Sequence, residues 1–308
     1  LAQKENSMFV AVIDMGTNTF NLSIGNWEMD NLKIIFSTKE GVALGKGGIN
    51  NGVITSEATE RAISCLLKFK EICIAHNVKQ IRAIGTSAIR SAKNKMSFCS
   101  EVMSKTGIVI EVISGEREAE LIYKGIAITN NFESRSVVMD IGGGSTEFIL
   151  VENASPKKFL SFDIGISRII QQFNFSDPLS AQDINDIENF LTEHCDNTFQ
   201  EIKSDVLVGS SGSFETFYEL VNQRKFPEGL QTHTVDLDDF IVALHQIIAS
   251  TQAEREVNEF IIPIRKIMAP IAAVKTRWVL KMLGAKKIVI SPCSLKEGVF
   301  SELQKQRY

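Results

Sequence analysis

MFVAVIDMGTNTFNLSIG (residues 8–25) and SVVMDIGGGSTEFILV (residues 136–151) follow one pattern. Each begins with a β-rich apolar run, closes on Asp, an apolar residue and Gly, turns through small or hydroxylated residues, and resumes as a second run. Asp14-Met15-Gly16-Thr17-Asn18-Thr19 aligns with Asp140-Ile141-Gly142-Gly143-Gly144-Ser145 at an offset of 126 residues. Locally this reads as strand, tight turn, strand. A unit that returns at a fixed distance argues for two related domains, each opening on a hairpin whose turn presents backbone N–H groups.

Working outward, Leu32–Thr38 supplies a third strand, and the glycine-rich stretch Gly41–Gly52 that follows reads as a flexible connection in which Gly45, Gly47 and Gly48 have no special task. Ser56–His76 carries apolar residues at helical spacing, with Thr55 or Ser56 placed to cap it. A strand over Gln80–Ile84, a helix over Lys93–Lys105, a strand over Ile108–Ile113 and a helix over Gly115–Thr129 complete the first half. After the second hairpin come a strand at Lys158–Phe162, a polar helix at Ser180–Glu201, a strand at Asp205–Val208, the loop Gly209–Ser213 and several helices to Leu283. A strand at Lys287–Ile290 and a helix from about Ser294 end the chain. Strands alternating with helices predict an α/β fold.

The 308 residues allow two domains, and 44% hydrophobic content fills a core in each. With 33 Lys and Arg against 37 Asp and Glu, interspersed, the formal charge is −4, which excludes disorder and provides no basic field for nucleic acid. The cysteines Cys65, Cys73, Cys99, Cys195 and Cys293 form no CxxC pair and are odd in number, so a reducing compartment is expected. His76, His194, His233 and His245 are scattered, which argues against a histidine-built metal site. No apolar run reaches membrane-spanning length and the start lacks a secretory pattern, so a cytoplasmic protein without membrane contact is expected.

Three small-residue turns, Gly16–Thr19, Gly142–Ser145 and Gly209–Ser213, offer backbone donors, and oligophosphate is the natural ligand of such nests. A strand-end Asp cannot hold phosphate alone, because like charges repel; it needs a cation such as Mg²⁺, which takes one or two carboxylates plus phosphate oxygens. Asp14, Asp140 and Glu147 are the candidate ligands, although a DxG turn is also an ordinary hairpin turn and Glu147 could face solvent. In Ile113-Ser114-Gly115-Glu116-Arg117-Glu118-Ala119-Glu120 the acids suit a helix N-terminus, and one of them at the mouth of a cleft could deprotonate or orient water. Gly85-Thr86-Ser87-Ala88-Ile89-Arg90 adds hydroxyls and an Arg able to pair with phosphate.

Taken in order, these four segments resemble the exopolyphosphatase/guanosine pentaphosphate phosphatase (Ppx/GppA) family, within the sugar kinase, Hsp70 and actin superfamily. Gly209-Ser210-Ser211-Gly212 and Ser294-Leu295-Lys296-Glu297-Gly298 resemble its later motifs. The resemblance implies two ribonuclease-H-like domains with the active site in the cleft between them, here 1–128 plus 296–308 and 129–295. It implies phosphate removal from the end of polyphosphate, or from guanosine pentaphosphate, with Mg²⁺ or Mn²⁺. By resemblance the catalytic pair falls on Glu118 and Arg90, and the metal-phosphate site on Asp140 and Glu147, with Asp14 kept as a candidate ligand from its strand-end position. Phosphate contacts fall on Gly16, Thr17, Asn18, Thr19, Gly142, Gly143, Gly144, Ser145, Gly209, Ser211, Gly212 and Ser213. Lys296 stands where the family commonly has arginine, and the helical domain that longer members append is not seen, so a shorter channel is expected. A homodimer is the symmetry prior. Two rivals stay open: a kinase or ATPase of the same superfamily, and a non-catalytic sensor of polyphosphate or guanosine polyphosphates.

Overall fold

The alternation in residues 10–28 becomes a hairpin in which β1 (Val10–Met15) runs antiparallel to β2 (Thr19–Glu28), with Met15 opposite Phe20 across the turn. The computed structural model describes residues 9–28, 31–132, 134–195 and 198–305. β3 (Asn31–Gly41) pairs antiparallel with β2, while β4 (Gln80–Gly85) and β5 (Ile110–Val112) continue parallel to β1. The sheet order is therefore β3-β2-β1-β4-β5.

The second half repeats this with β6 (Ser136–Ile141), β7 (Thr146–Glu152), β8 (Ser155–Phe162), β9 (Val206–Ser210) and β11 (Lys287–Ile290), and adds β10 (His233–Val235) at the edge. Its order, β10-β11-β9-β6-β7-β8, is the first sheet's order read in the other direction with one strand appended. The repeat extends to strand pairing: Asp14 faces Asn21, and 126 residues on Asp140 faces Glu147. The Gly16 N–H donates to Thr19 O at 3.1 Å and Gly142 N–H to Ser145 O at 3.1 Å. The predicted pair of ribonuclease-H-like α/β domains is what the chain forms.

Helices cover the sheets on apolar faces. α1 (Ser56–Ala75), capped by Thr55 accepting from Ala58 N–H at 3.2 Å, sends Ala58, Ala62, Leu66, Phe69 and Cys73 inward, the three-to-four residue period of an amphipathic helix. It shares the first core with α2 (Ser87–Arg90) and α3 (Lys95–Thr106). The second core gathers α5 (Ile166–Gln172), α6 (Ala181–Cys195), α7 (Thr198–Glu201), α8 (Gly212–Asn222), α9 (Leu237–Ala249) and α11 (Ala269–Leu283) against the second sheet; α10 (Gln252–Val257) lies between α9 and α11 in sequence. The five thiols form no disulfide.

A third apolar cluster lies between the sheets. α4 (Gly115–Ile126) and α12 (Leu295–Lys305) bring Leu121, Ile122, Val299 and Phe300 into contact with Val12 and Ile84 of one sheet and Val138, Ile149 and Val208 of the other. Lys124 Nζ to Glu302 at 2.7 Å joins the two helices, and Trp27 Nε1 donates to Phe300 O at 2.8 Å, tying α12 to β2. α4 thus starts in the seam between the domains.

The polar helix predicted over 180–201 is helical at 181–195 and 198–201, and residues 196–197 lie outside the described set. Two expectations change. The strand predicted over 108–113 shortens to three residues, since Ile108 and Ile113 turn into apolar clusters instead. The glycine-rich stretch 41–52 is not a loose connection: Val42 and Ala43 N–H donate to Asn18 O at 2.9 and 2.8 Å, and Gly45 N–H donates to Thr17 O at 3.0 Å. It braces the first turn.

Candidate active site

Both hairpin turns open onto one cleft of about 410 Å³ between the domains. In the first, the carbonyls of Thr17 and Asn18 are held by the 42–45 stretch. In the second, Gly142 O accepts from Ile166 N–H at 3.1 Å, Gly143 O from Ser167 N–H at 2.8 Å, and Gly144 O from Gly165 N–H at 3.2 Å and Arg168 Nε at 2.8 Å. Because C=O and the following N–H point opposite ways in a trans peptide, fixing these carbonyls against α5 and the 42–45 stretch turns the N–H groups of Asn18, Thr19, Gly143, Gly144 and Ser145 away from those braces. These same residues line the cleft, which lies on the side of the turns away from the braces. The turns also meet: a Cβ on Gly144 would lie 2.6 Å from Ser87 Oγ and from Thr17 Oγ1, so only glycine permits the approach. Asn18 completes the contact, its Oδ1 accepting from Ser167 Oγ at 2.7 Å.

The third loop contributes Ser211, Gly212 and Ser213 to the wall. Ser211 holds φ at +81°, a conformation costly for a residue with a side chain, of the kind that persists where surrounding structure enforces it. Gly209, expected among the phosphate contacts, is not on the cleft wall; it lies inside β9, paired with Met139 and Ile290, where the ladder consumes its backbone groups.

Asp14 and Asp140 both line the cleft at the ends of their strands. Asn21 Nδ2 donates to Asp14 Oδ2 at 3.1 Å. Ser210 and Ser294 hydroxyls donate to Asp140 Oδ2 at 2.9 and 2.6 Å. Burial pushes the Asp14 carboxyl up to about 6, against the downward pull of Lys296 and Asn21. Burial also raises Asp140, with Ser294 and Ser210 opposing. Glu147 is 1% exposed and sits behind Asp140 rather than on the cleft wall, accepting from Ser161 Oγ at 2.7 Å. The strand alternation that left its direction open resolves inward.

Glu118, in the first turn of α4, does reach the cleft. Burial and then the nearby Glu147 charge hold its proton affinity well above the ordinary carboxylate range, with Arg90 pulling the other way. Arg90 Nη1 donates to Glu118 Oε2 at 2.7 Å and to Ile113 O at 3.3 Å, and Nη2 reaches Ser145 Oγ at 3.4 Å. The two predicted catalytic residues are therefore brought together, but Arg90 stands behind Glu118 and off the cleft wall.

Ser87, expected to add a hydroxyl, is on the wall, its Oγ buried with no hydrogen-bond partner among the described residues. Lys296, noted in place of a family arginine, supplies positive charge there together with Lys39 and Arg265, for which sequence reading had no role, Arg265 being engaged by Glu215 at 3.3 Å and Thr216 at 2.9 Å. Asn21 was findable: carrying the 126-residue offset two positions past the turn sets it against Glu147. Ser210 and Ser294 carry no such signal, since they meet Asp140 only through sheet register and the helix layer.

Beneath the second turn lies Lys275, wholly buried in α11, whose ammonium donates to Thr146 Oγ1 and Ile164 O. Burial lowers its pKa to about 7, against ~10.4 in the unfolded chain. Between those values the unfolded state holds the proton and the folded state does not, so this residue's contribution to stability rises with pH through that window and is least favourable below it. Denaturant unfolding at pH 7 and pH 9 should show a rise that is smaller in Lys275→Met.

The sequence pattern of the Ppx/GppA phosphatase family matches residues 23–307. The chain belongs to that family. It is 32% identical over 224 residues to the guanosine-5'-triphosphate,3'-diphosphate pyrophosphatase of Vibrio vulnificus, covering 72% of this chain and 45% of that protein. A putative exopolyphosphatase of Haemophilus influenzae is 28% identical over 232 residues, 72% of this chain and 70% of its own length. The chain thus spans less than half the length of the Vibrio relative. Among solved structures, an exopolyphosphatase from Cytophaga hutchinsonii superposes with a TM-score of 0.92 at 36% identity, covering 97% of this chain and 98% of the other. A Ppx/GppA family member from Aquifex aeolicus gives 0.81 at 25% identity over 98% and 99%. Among the described residues no helix is long and apolar enough to cross a membrane.

Proposed function

We propose that this Ppx/GppA member hydrolyses the terminal phosphoanhydride bond of inorganic polyphosphate. The observation that carries the reading is the convergence, in one cleft, of two amide-lined turns with a buried carboxylate, Glu118, of raised proton affinity. Amide donors of the turns take the terminal phosphoryl oxygens, and Ser87 Oγ gains the partner it lacks in the protein. Glu118, oriented by Arg90, accepts the proton of the attacking water. Lys39, Lys296 and Arg265 face the remainder of the chain, and positioning with electrostatics supplies most of the rate. The 36% identity to the Cytophaga hutchinsonii exopolyphosphatase, over nearly the whole of both chains, favours polyphosphate.

The residues fit a divalent cation without forming a finished site for one. Among the described residues no group of three or more His, Cys, Asp or Glu is arranged to hold a metal. Asp14 and Asp140, however, line the same cleft, and the Asp140 charge adds to the Asp14 proton affinity, a repulsion that a cation relieves. These two would hold Mg²⁺, or Mn²⁺ in its place, together with substrate oxygens, Asp140 being fixed by Ser210 and Ser294. When bound, the ion supplies charge neutralisation at the phosphoryl oxygens.

A second reading, removal of the terminal phosphate of guanosine pentaphosphate, is favoured by the 32% identity to the Vibrio vulnificus protein. Orthophosphate release from long-chain polyphosphate and from guanosine pentaphosphate, measured in parallel with Mg²⁺, decides between them. Polyphosphate is expected to be preferred; release from the nucleotide alone would transfer the assignment, and release from neither would favour a sensor. Chelation of divalent cations should abolish release, with Mg²⁺ restoring it; full activity in excess chelator would refute the metal assignment.

A further inference from the structure

Glu118 and Glu147 are approached from two sides. Their partners Arg90 and Ser161 take no part in the wall of the cleft; both line a separate hollow of about 500 Å³ between the start of α4, at Gly115 and Glu116, and the end of β8, at Phe159 to Phe162 with Asp163. At Glu118 the partition between hollow and cleft is one pair of side chains thick, Arg90 Nη1 lying 2.7 Å from Glu118 Oε2, while Ser161 on the hollow side holds the deeper Glu147 at 2.7 Å.

If the hydrolytic reading above holds, this hollow meets a need that the cleft cannot. Attack forms a bond from water oxygen to phosphorus and breaks the bond from phosphorus to the bridging oxygen. The bridging electron pair leaves with the shortened chain, and Glu118 takes the water proton, which passes to the departing oxyanion or to solvent. Water must arrive in line, on the side away from the leaving chain. The new orthophosphate then lies between the turns and a chain still seated in the cleft, and it cannot leave forward until that chain dissociates. We infer that orthophosphate leaves, and the next water enters, through the hollow between α4 and β8, with Arg90 turning from Glu118 to conduct the anion. Arg90 suits this because its guanidinium stands between the two compartments, touching the cleft-lining Glu118 on one side and lining the hollow on the other.

The test narrows the hollow at Glu116, which is exposed at its rim and outside the cleft. With long-chain polyphosphate, Glu116→Trp should lower steady-state orthophosphate release at least fivefold and show a burst of one orthophosphate per site before the slow phase. With tripolyphosphate, whose pyrophosphate product vacates the cleft at every turnover, the same variant should match the parent protein. Glu116→Ala should match it on both. Unchanged release from the long chain, or equal loss on both substrates, would overturn the exit. No release by the unaltered protein from either substrate would instead overturn the hydrolytic reading, and the exit with it.

Discussion

Replacing Glu118 by Gln is expected to lower kcat by about 10²–10⁴ while leaving KM little changed, the scale set by losing a positioned general base. Gln keeps the length of the side chain and a carbonyl oxygen for Arg90 Nη1, so the 2.7 Å contact and the α4 N-terminus should survive. The pH profile provides an independent check. A base works deprotonated, so activity rises with pH through its pKa, and burial beside Glu147 holds that pKa above the usual carboxylate range. The acid limb of kcat/KM should therefore lie above that range and vanish from the residual activity of Glu118→Gln. Near-normal turnover by the variant would remove Glu118 from the chemistry.

Gly165→Ala should be nearly as damaging although it touches no substrate. A Cβ there would fall on the Gly143 carbonyl oxygen and the Gly144 carbonyl carbon, backbone atoms with no side chain to swing aside. α5 must withdraw, and with it go the N–H groups of Gly165, Ile166 and Ser167 that hold the second turn. Overpacking of this kind costs ~1–3 kcal/mol, and an ångström-scale displacement of positioning groups costs roughly 10²-fold in rate. Denaturant unfolding and initial rates together test it. A destabilised protein with unimpaired rate would show that the Gly142–Ser145 donors do not set the geometry.

How much of this was legible beforehand varies with the physics of each feature. The two hairpins were readable because alternation, glycine turns and a fixed offset are local; local pattern marked the acidic start of α4 and the 85–90 segment, and the family resemblance picked Glu118 and Arg90 out of them. What Arg90 faces was not readable, because it depends on how α4 settles between the sheets. Gly209 and Glu147 show the same limit. Glycine in a turn-like string suggested a donor nest, yet sheet pairing claimed Gly209 for β9. A strand residue has two faces to choose from, and a second partner, Ser161, decided the choice for Glu147. The 41–52 stretch misled in the opposite direction: composition suggested mobility, while backbone bonds to Thr17 and Asn18 make it a brace.

The meeting of the two turns, Gly144 pressed against Thr17 and Ser87, has a consequence for where along a substrate the cut can fall. An internal phosphate carries a bridging oxygen on each of two sides and needs a groove open at both ends. On the polyphosphate reading, the floor is shut where the turns touch and the Arg90–Glu118 pair stands at the rear, passing a single orthophosphate at most, so a polymer would enter end-first and could not thread through. Selectivity against endo-cleavage then requires no group that recognises a chain end. It follows from the blind floor that the duplicated hairpin creates.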